Sequence, residues 1–337
     1  MLKYLIRSSQ SVIISLIYMK LAIKVYRGYA NEREIVVLGH IFRKHAPDIY
    51  DLNKRWYKHA WAVIRMFTIT LGNKKVTFKF KGKEVSTKTL EDGHFRMTFP
   101  YDKSLDSGWH KFEVEAVVDD EIVKSKGEFI KPFPGEYAVI SDIDDTFLIS
   151  HSGNFFKKMY VLLTKNINKR HVFEEVVDHY RVLNQLNKND EHGSNAFFYV
   201  SSSEWNLYNF IIQFTRMHDF PKAVLKLKDI KTGVADFLFT GGGSHNHKFY
   251  KIKHLVEFYP ELRFILLGDD SQKDAKIYEE ICKTFPENIS TVYIRQTKSS
   301  KKSHIIKRLE NMESMDVRTC YFASSKEAQA HTKKYLV

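Results

Sequence analysis

Tyr137-Ala138-Val139-Ile140-Ser141-Asp142-Ile143-Asp144-Asp145-Thr146 begins as an unbroken apolar run and ends in three carboxylates within four positions. An apolar run without alternation is the pattern of a strand covered on both faces, as in a parallel sheet. Acids at the carboxyl end of such a strand stand where an open α/β sheet binds its ligands. Burying several anions with no cation is costly. The stretch therefore asks for a divalent metal, and an all-oxygen ligand set favours Mg2+. The competing reading is an acidic cap at the start of the next helix.

The same rhythm continues toward the C-terminus. Apolar strands are predicted at 137–141, 196–200, 224–227, 264–267 and 292–295. Amphipathic segments fall near 154–168, 172–187, 204–218, 247–258, 273–285 and 301–312. This alternation predicts an α/β fold with a parallel, Rossmann-like sheet covered by helices on both faces. Two further strands end in polar chemistry. Phe197-Phe198-Tyr199-Val200 runs into Ser201-Ser202-Ser203, where hydroxyls and free N–H groups at a helix start make a phosphate cradle. Ordinary capping is the alternative for Ser202 and Ser203. Phe264-Ile265-Leu266-Leu267 runs into Gly268-Asp269-Asp270 and on to Asp274, adding carboxylates at the same edge. Lys248, 21 residues before Asp269, opens the intervening helical segment and is placed to neutralise phosphoryl charge.

Residues 21 to about 130 read differently. Short runs at 23–26, 35–38, 76–80, 95–99, 112–118 and 128–130 alternate apolar and polar residues, with turn dipeptides at Asp92-Gly93 and Ser107-Gly108. They predict a small antiparallel β-sandwich over 21–131. Pro132 and Pro134 interrupt regular structure and place a boundary before a second domain at 135–337. Residues 1–20 carry Leu2, Leu5, Ile6, Val12, Ile13, Leu16 and Ile17 at helical spacing. They predict an amphipathic helix, packed on the protein or lying on a membrane surface. The apolar part is too short to span a bilayer and lacks a convincing cleavage site.

Composition bounds the partners. The chain of 337 residues is 43% hydrophobic and 28% charged, as in ordinary globular proteins. Its net charge of +13 is concentrated in 1–131, with 24 Lys and Arg against 15 Asp and Glu; the remainder has 29 against 25. That bias suits an anionic lipid surface or another polyanion, or is a solvated basic face. No basic face interleaved with aromatic platforms is present, so no nucleic-acid partner is expected. Cys282 and Cys320 lie in apolar patterns without metal-ligand spacing and read as reduced core residues, which points to a reducing compartment or to indifference about redox state; the expected location is the cytoplasm, peripheral to the membrane or free of it.

Asp142-x-Asp144-x-Thr146, Ser201, Lys248 and Gly268-Asp269-x-x-x-x-Asp274, in this order, resemble the four motifs of the haloacid dehalogenase superfamily of phosphatases. The wording around them is more specific. Asp142-Ile143-Asp144-Asp145-Thr146, Tyr199-Val200-Ser201-x-Ser203-x-Trp205-x-Leu207-Tyr208, His247-Lys248 and Asp274-x-x-Ile277-Tyr278 are similar to the actin-patch-associated phosphatidate phosphatase catalytic domain, over roughly 135–325. That resemblance implies a Mg2+-dependent phosphoric monoester hydrolase acting on phosphatidate, a phosphorylated lipid, at the membrane periphery. It implies Asp142 as nucleophile, Asp144 as acid and then base, and Ser201, Ser202, Thr146 and Lys248 around the phosphoryl group. Asp142, the Asp144 carbonyl and Asp269 would hold the metal, with Asp274 and Asp270 behind them. Relatives commonly carry Ser-Gly-Glu where this chain has Asp270-Ser271-Gln272, and often asparagine at Ser202. Phe155, Phe156, Tyr160 and Leu162 could line a lipid entry or pack in the core, and Gly241-Gly242-Gly243 reads as a linker. A soluble phosphomonoesterase of the same superfamily, and a non-catalytic lipid- or polyanion-binding protein, are the other readings.

Overall fold

The computed structural model describes residues 21–43, 70–101, 105–135, 137–143, 175–187, 193–205, 208–228, 247–270, 273–297 and 302–337. The predicted helices at 1–20 and 154–168, Phe155, Phe156, Tyr160, Leu162 and the Gly241 to Gly243 loop lie outside them.

The unalternated apolar runs form a six-stranded parallel sheet: β9 (Tyr137–Asp142), β10 (Ala196–Glu204), β11 (Ala223–Lys228), β12 (Arg263–Asp269), β13 (Ile289–Arg295) and β14 (Arg318–Phe322). Its order is β11-β10-β9-β12-β13-β14, so β9 is central and the winding direction reverses beside it. Such a reversal opens a crevice at the carboxyl ends of the strands. Successive residues of β9 point to opposite faces. Tyr137 and Val139 join one buried cluster; Ala138 and Ile140 join another.

Helices cover both faces. On the first lie α1 (Val176–Gln185), α2 (Tyr208–Met217) and α6 (Ser325–Tyr335), contributing Tyr180, Leu183, Ile211 and Ala328. On the second lie α3 (His247–Phe258), α4 (Asp274–Thr284) and α5 (Ser303–Glu313), contributing Leu255, Tyr278, Ile281 and Leu309. The strand β14 and the helix α6 were not anticipated. β14 is a half-exposed edge strand, and α6 is polar on most of its surface.

The alternating runs form β1 (Leu21–Val25), β2 (Gly28–Ala30), β3 (Glu34–Arg43), β4 (Lys75–Phe80), β5 (Lys83–Lys88), β6 (His94–Pro100), β7 (Gly108–Val118) and β8 (Glu121–Lys131). All pair antiparallel except β2 with β8. All eight belong to one sheet, seven of them in the path β1-β3-β2-β8-β7-β4-β5 with β6 branching from β3. The sheet folds over its own core: the Phe78 ring of β4 lies 5.4 Å from Phe99 of β6 and 5.0 Å from Phe112 of β7. On the outer face lysines and glutamates alternate in register, with Lys79 bridging Glu84 and Glu115, and Glu115 also meeting Lys124.

The two sheets are joined by buried polar contacts. The Arg27 N–H donates to the Tyr208 hydroxyl (2.8 Å) and its guanidinium to the Ala223 carbonyl (3.0 Å). The Tyr259 hydroxyl donates to the Ala30 carbonyl (3.1 Å). His40, fully buried in β3, stacks on Trp205 with ring centroids 4.2 Å apart.

Candidate active site

Three acids meet, two at strand ends and one at a helix start. Asp142 closes β9, Asp269 closes β12, and Asp274 opens α4. One carboxylate oxygen from each lies within 4.8 Å of the others, and all three side chains are buried. The β-strands fix the first two by register, since Ser141 pairs with Leu267 and Asp142 with Val200. Asp274 is held by a hydrogen bond that it accepts from the Asp269 N–H (3.3 Å).

Lys248, the second residue of α3, reaches the cluster from the side. Its ammonium lies 2.9 Å from Asp142 Oδ1 and donates to Asp274 Oδ1. Burial alone would push the Lys248 ammonium down, but Asp142 and Asp274 outweigh it and hold it well above its ordinary value. One ammonium among three buried carboxylates leaves negative charge in excess. Oxygen donors gathered at this spacing fit a metal cation, which Asp142, Asp269 and Asp274 could hold.

Gly268 is required by this geometry. A Cβ there would come 2.5 Å from Asp274 Oδ2 and 2.9 Å from the Tyr278 ring. The strand end can thus press against α4 only because no side chain intervenes. Tyr278 fastens the same junction by donating to the Leu267 carbonyl (2.8 Å).

Ser201 follows Val200 within β10, buried and beside the cluster's strand; β10 runs on to Glu204 with a register shift after Val200, so the expected helix start at this point is absent and the next helix opens at Tyr208. Its carbonyl and that of Lys226 both accept from Lys251 Nζ, at 3.3 Å each, which ties the ends of β10 and β11. Ser202 continues β10; its side chain lies outside what is described, as do Asp144 and Thr146 altogether.

Asp270 does not join the cluster. Its Oδ1 accepts from the Thr297 N–H (3.1 Å), the Thr297 hydroxyl and Lys302 (3.1 Å), and its Oδ2 from the Tyr321 hydroxyl (2.5 Å). Burial would raise this carboxyl, but those donors hold it below the usual carboxylate range. The residue that varies from the related pattern is thus engaged in fastening β14 and the approach to α5.

Several residues of the site escaped the sequence reading. Ser141 donates to the Asp142 carbonyl (2.8 Å) and lies 2.6 Å from the Tyr180 hydroxyl, which steadies the end of β9. Lys251 is one lysine among many in the sequence, and no local signal separates it. Trp205 and Tyr208, within the related wording, turn out to face the antiparallel sheet through His40 and Arg27.

Comparison with known proteins places the same region in context. Residues 137–296 match the family described as phosphatidate phosphatase APP1, catalytic domain. The phosphatidate phosphatase APP1 of Saccharomyces cerevisiae is 26% identical over 195 residues, covering 54% of this chain and 31% of that protein. An uncharacterized protein of Schizosaccharomyces pombe is 25% identical over 200 residues, covering 56% of this chain and 31% of its own length. This chain therefore spans less than a third of the length of either relative. Among solved structures, a carbohydrate acetylesterase from Xanthomonas citri superposes with a TM-score of 0.34 at 9% identity, over 93% of this chain and 73% of its own. That likeness is too slight to bear on the fold or the chemistry. Residues 137–296, with Asp142, Lys248, Asp269 and Asp274 gathered at one sheet edge, resemble the catalytic domain of phosphatidate phosphatase APP1.

Proposed function

We propose that this protein is a Mg2+-dependent phosphatidate phosphatase of the haloacid dehalogenase type, releasing phosphate and diacylglycerol through an aspartyl-phosphate on Asp142. The observation that carries the reading is the buried Asp142, Asp269 and Asp274 cluster with Lys248 against it, within the region related to that catalytic domain. In this reading residues 135–337 are the catalytic unit and residues 21–131 an accessory one, which approaches an anionic membrane from the cytoplasmic side.

An Asp142 oxygen attacks phosphorus, the P–O ester bond breaks, and the leaving alcohol oxygen takes a proton from Asp144. Asp144 then takes a proton from water, whose oxygen attacks the aspartyl-phosphate. Phosphate leaves and the Asp142 carboxylate is restored. Lys248 keeps positive charge beside both the nucleophile and the incoming phosphoryl oxygens, with Ser201, Ser202 and Thr146 as donors around them. A bound divalent cation supplies the charge that lets an anionic nucleophile approach an anionic ester. Among the described residues no helix is long and apolar enough to cross a membrane.

The test is phosphate release from phosphatidate in mixed micelles and from a soluble aryl phosphate, with Mg2+ or EDTA, for the wild type and Asp142→Asn. Metal-dependent release from phosphatidate, lost in the variant, supports the proposal. Release from the aryl phosphate alone would keep the mechanism and transfer the substrate to a soluble phosphomonoester. Activity retained by Asp142→Asn would remove the nucleophile assignment.

A further inference from the structure

Arg295 closes β13 and pairs in register with Asp269. Register partners on adjacent parallel strands point to the same face, so the guanidinium is carried on the side of the sheet that Asp269 occupies. It is buried, and Nη1 donates to Ser325 Oγ (3.1 Å) at the first turn of α6. The Phe322 ring lies 5.8 Å away. Burial pulls the guanidinium down to about 10, partly opposed by Tyr180 and Asp269, so it keeps its charge at neutral pH. No motif in the sequence marks this arginine, and the phosphoryl-transfer scheme above does not use it.

We infer that Arg295 is a positioning residue of the acidic cluster, offsetting part of the charge of Asp269 and so setting how tightly the cluster takes a divalent cation. The inference rests on the metal-holding role proposed for those three acids. Lys248 balances the cluster from the α3 side, where it meets Asp142 and Asp274; Arg295 does so from β13, where it faces Asp269. With both cations in place the residual negative charge is small enough for the ion to exchange and for an anionic ester to enter.

The experiment is calorimetric titration of Mg2+ into the full chain with no substrate present, for the wild type, Arg295→Gln and Arg295→Lys. Arg295→Gln is expected to bind Mg2+ on the order of tenfold more tightly, because a like charge has been removed near the ion. Arg295→Lys, which keeps the charge, is expected to stay within about threefold of the wild type. A purely structural arginine would lower stability in both variants without tightening metal binding. Should Arg295→Gln be too unstable to titrate, Mg2+ must raise its melting temperature by more than it raises that of the wild type. Equal or weaker binding, or an equal or smaller rise, overturns the inference. A wild type that shows no Mg2+ response removes the metal-holding role itself.

Discussion

Replacing Lys248 by Met keeps most of the aliphatic stem and removes the charge that lies between Asp142 and Asp274. Both carboxylates are buried, so neither can turn to water for compensation. Breaking a buried pair in this way costs about 3–5 kcal/mol, because an uncompensated charge remains. The loss depends on pH with a definite sign. In the wild type the Lys248 ammonium is held above its ordinary value, so its contribution is fully present below about pH 10 and is lost only as pH rises beyond that. In the variant the excess buried negative charge can be relieved by uptake of a proton from solution, so stability returns as pH falls. Urea unfolding of both proteins in EDTA should therefore show a gap of at least about 3 kcal/mol near pH 8 that narrows toward pH 5.5. Added Mg2+ should also narrow it. A gap below about 1 kcal/mol, the size expected for a solvent-exposed ion pair, would refute the account. So would a gap that is unchanged between the two pH values.

Gly268→Ala should force Asp274 and Tyr278 away from the strand end; Mg2+ affinity by calorimetry is expected to fall by about tenfold or more. Asp270→Asn should cost about 2–3 kcal/mol in urea unfolding at neutral pH, because a carboxylate accepting from Thr297, Lys302 and Tyr321 is replaced by a group that also donates. That difference should shrink at acid pH, since Asp270 is held low and its contribution is lost as pH falls. Phosphate release per folded molecule should change less than the about tenfold expected for a residue touching a metal ligand. His40 is held well below its ordinary value by burial and by His94, so its neutral form is bound into the fold. Wild-type thermal stability should therefore decline as pH drops below about 6.5, and His40→Phe should flatten part of that decline.

What the sequence determined by itself is local. Unalternated apolar runs must be covered on both faces, which made the strands of the parallel sheet legible and put Asp142 and Asp269 at their ends, whereas β10 runs past Ser201 to Glu204. Alternation exposed β4, β6 and β7 in the same way. β5, with a mostly exposed polar sequence, and β2, only three residues long, had too little pattern to read. The tertiary structure decided the rest. The joining of these strands into one sheet depends on pairings such as β2 with β8, which are about a hundred residues apart. Whether Asp270 serves the cluster or turns away depends on Tyr321 and Lys302, donors brought by another strand and the start of another helix. Arg295 stands beside Asp269 only because β13 pairs with β12 in one register, and a shift by one residue would carry it to the opposite face. Periodicity is a property of neighbouring residues and survives in the sequence. Register is set by the whole packed sheet and does not.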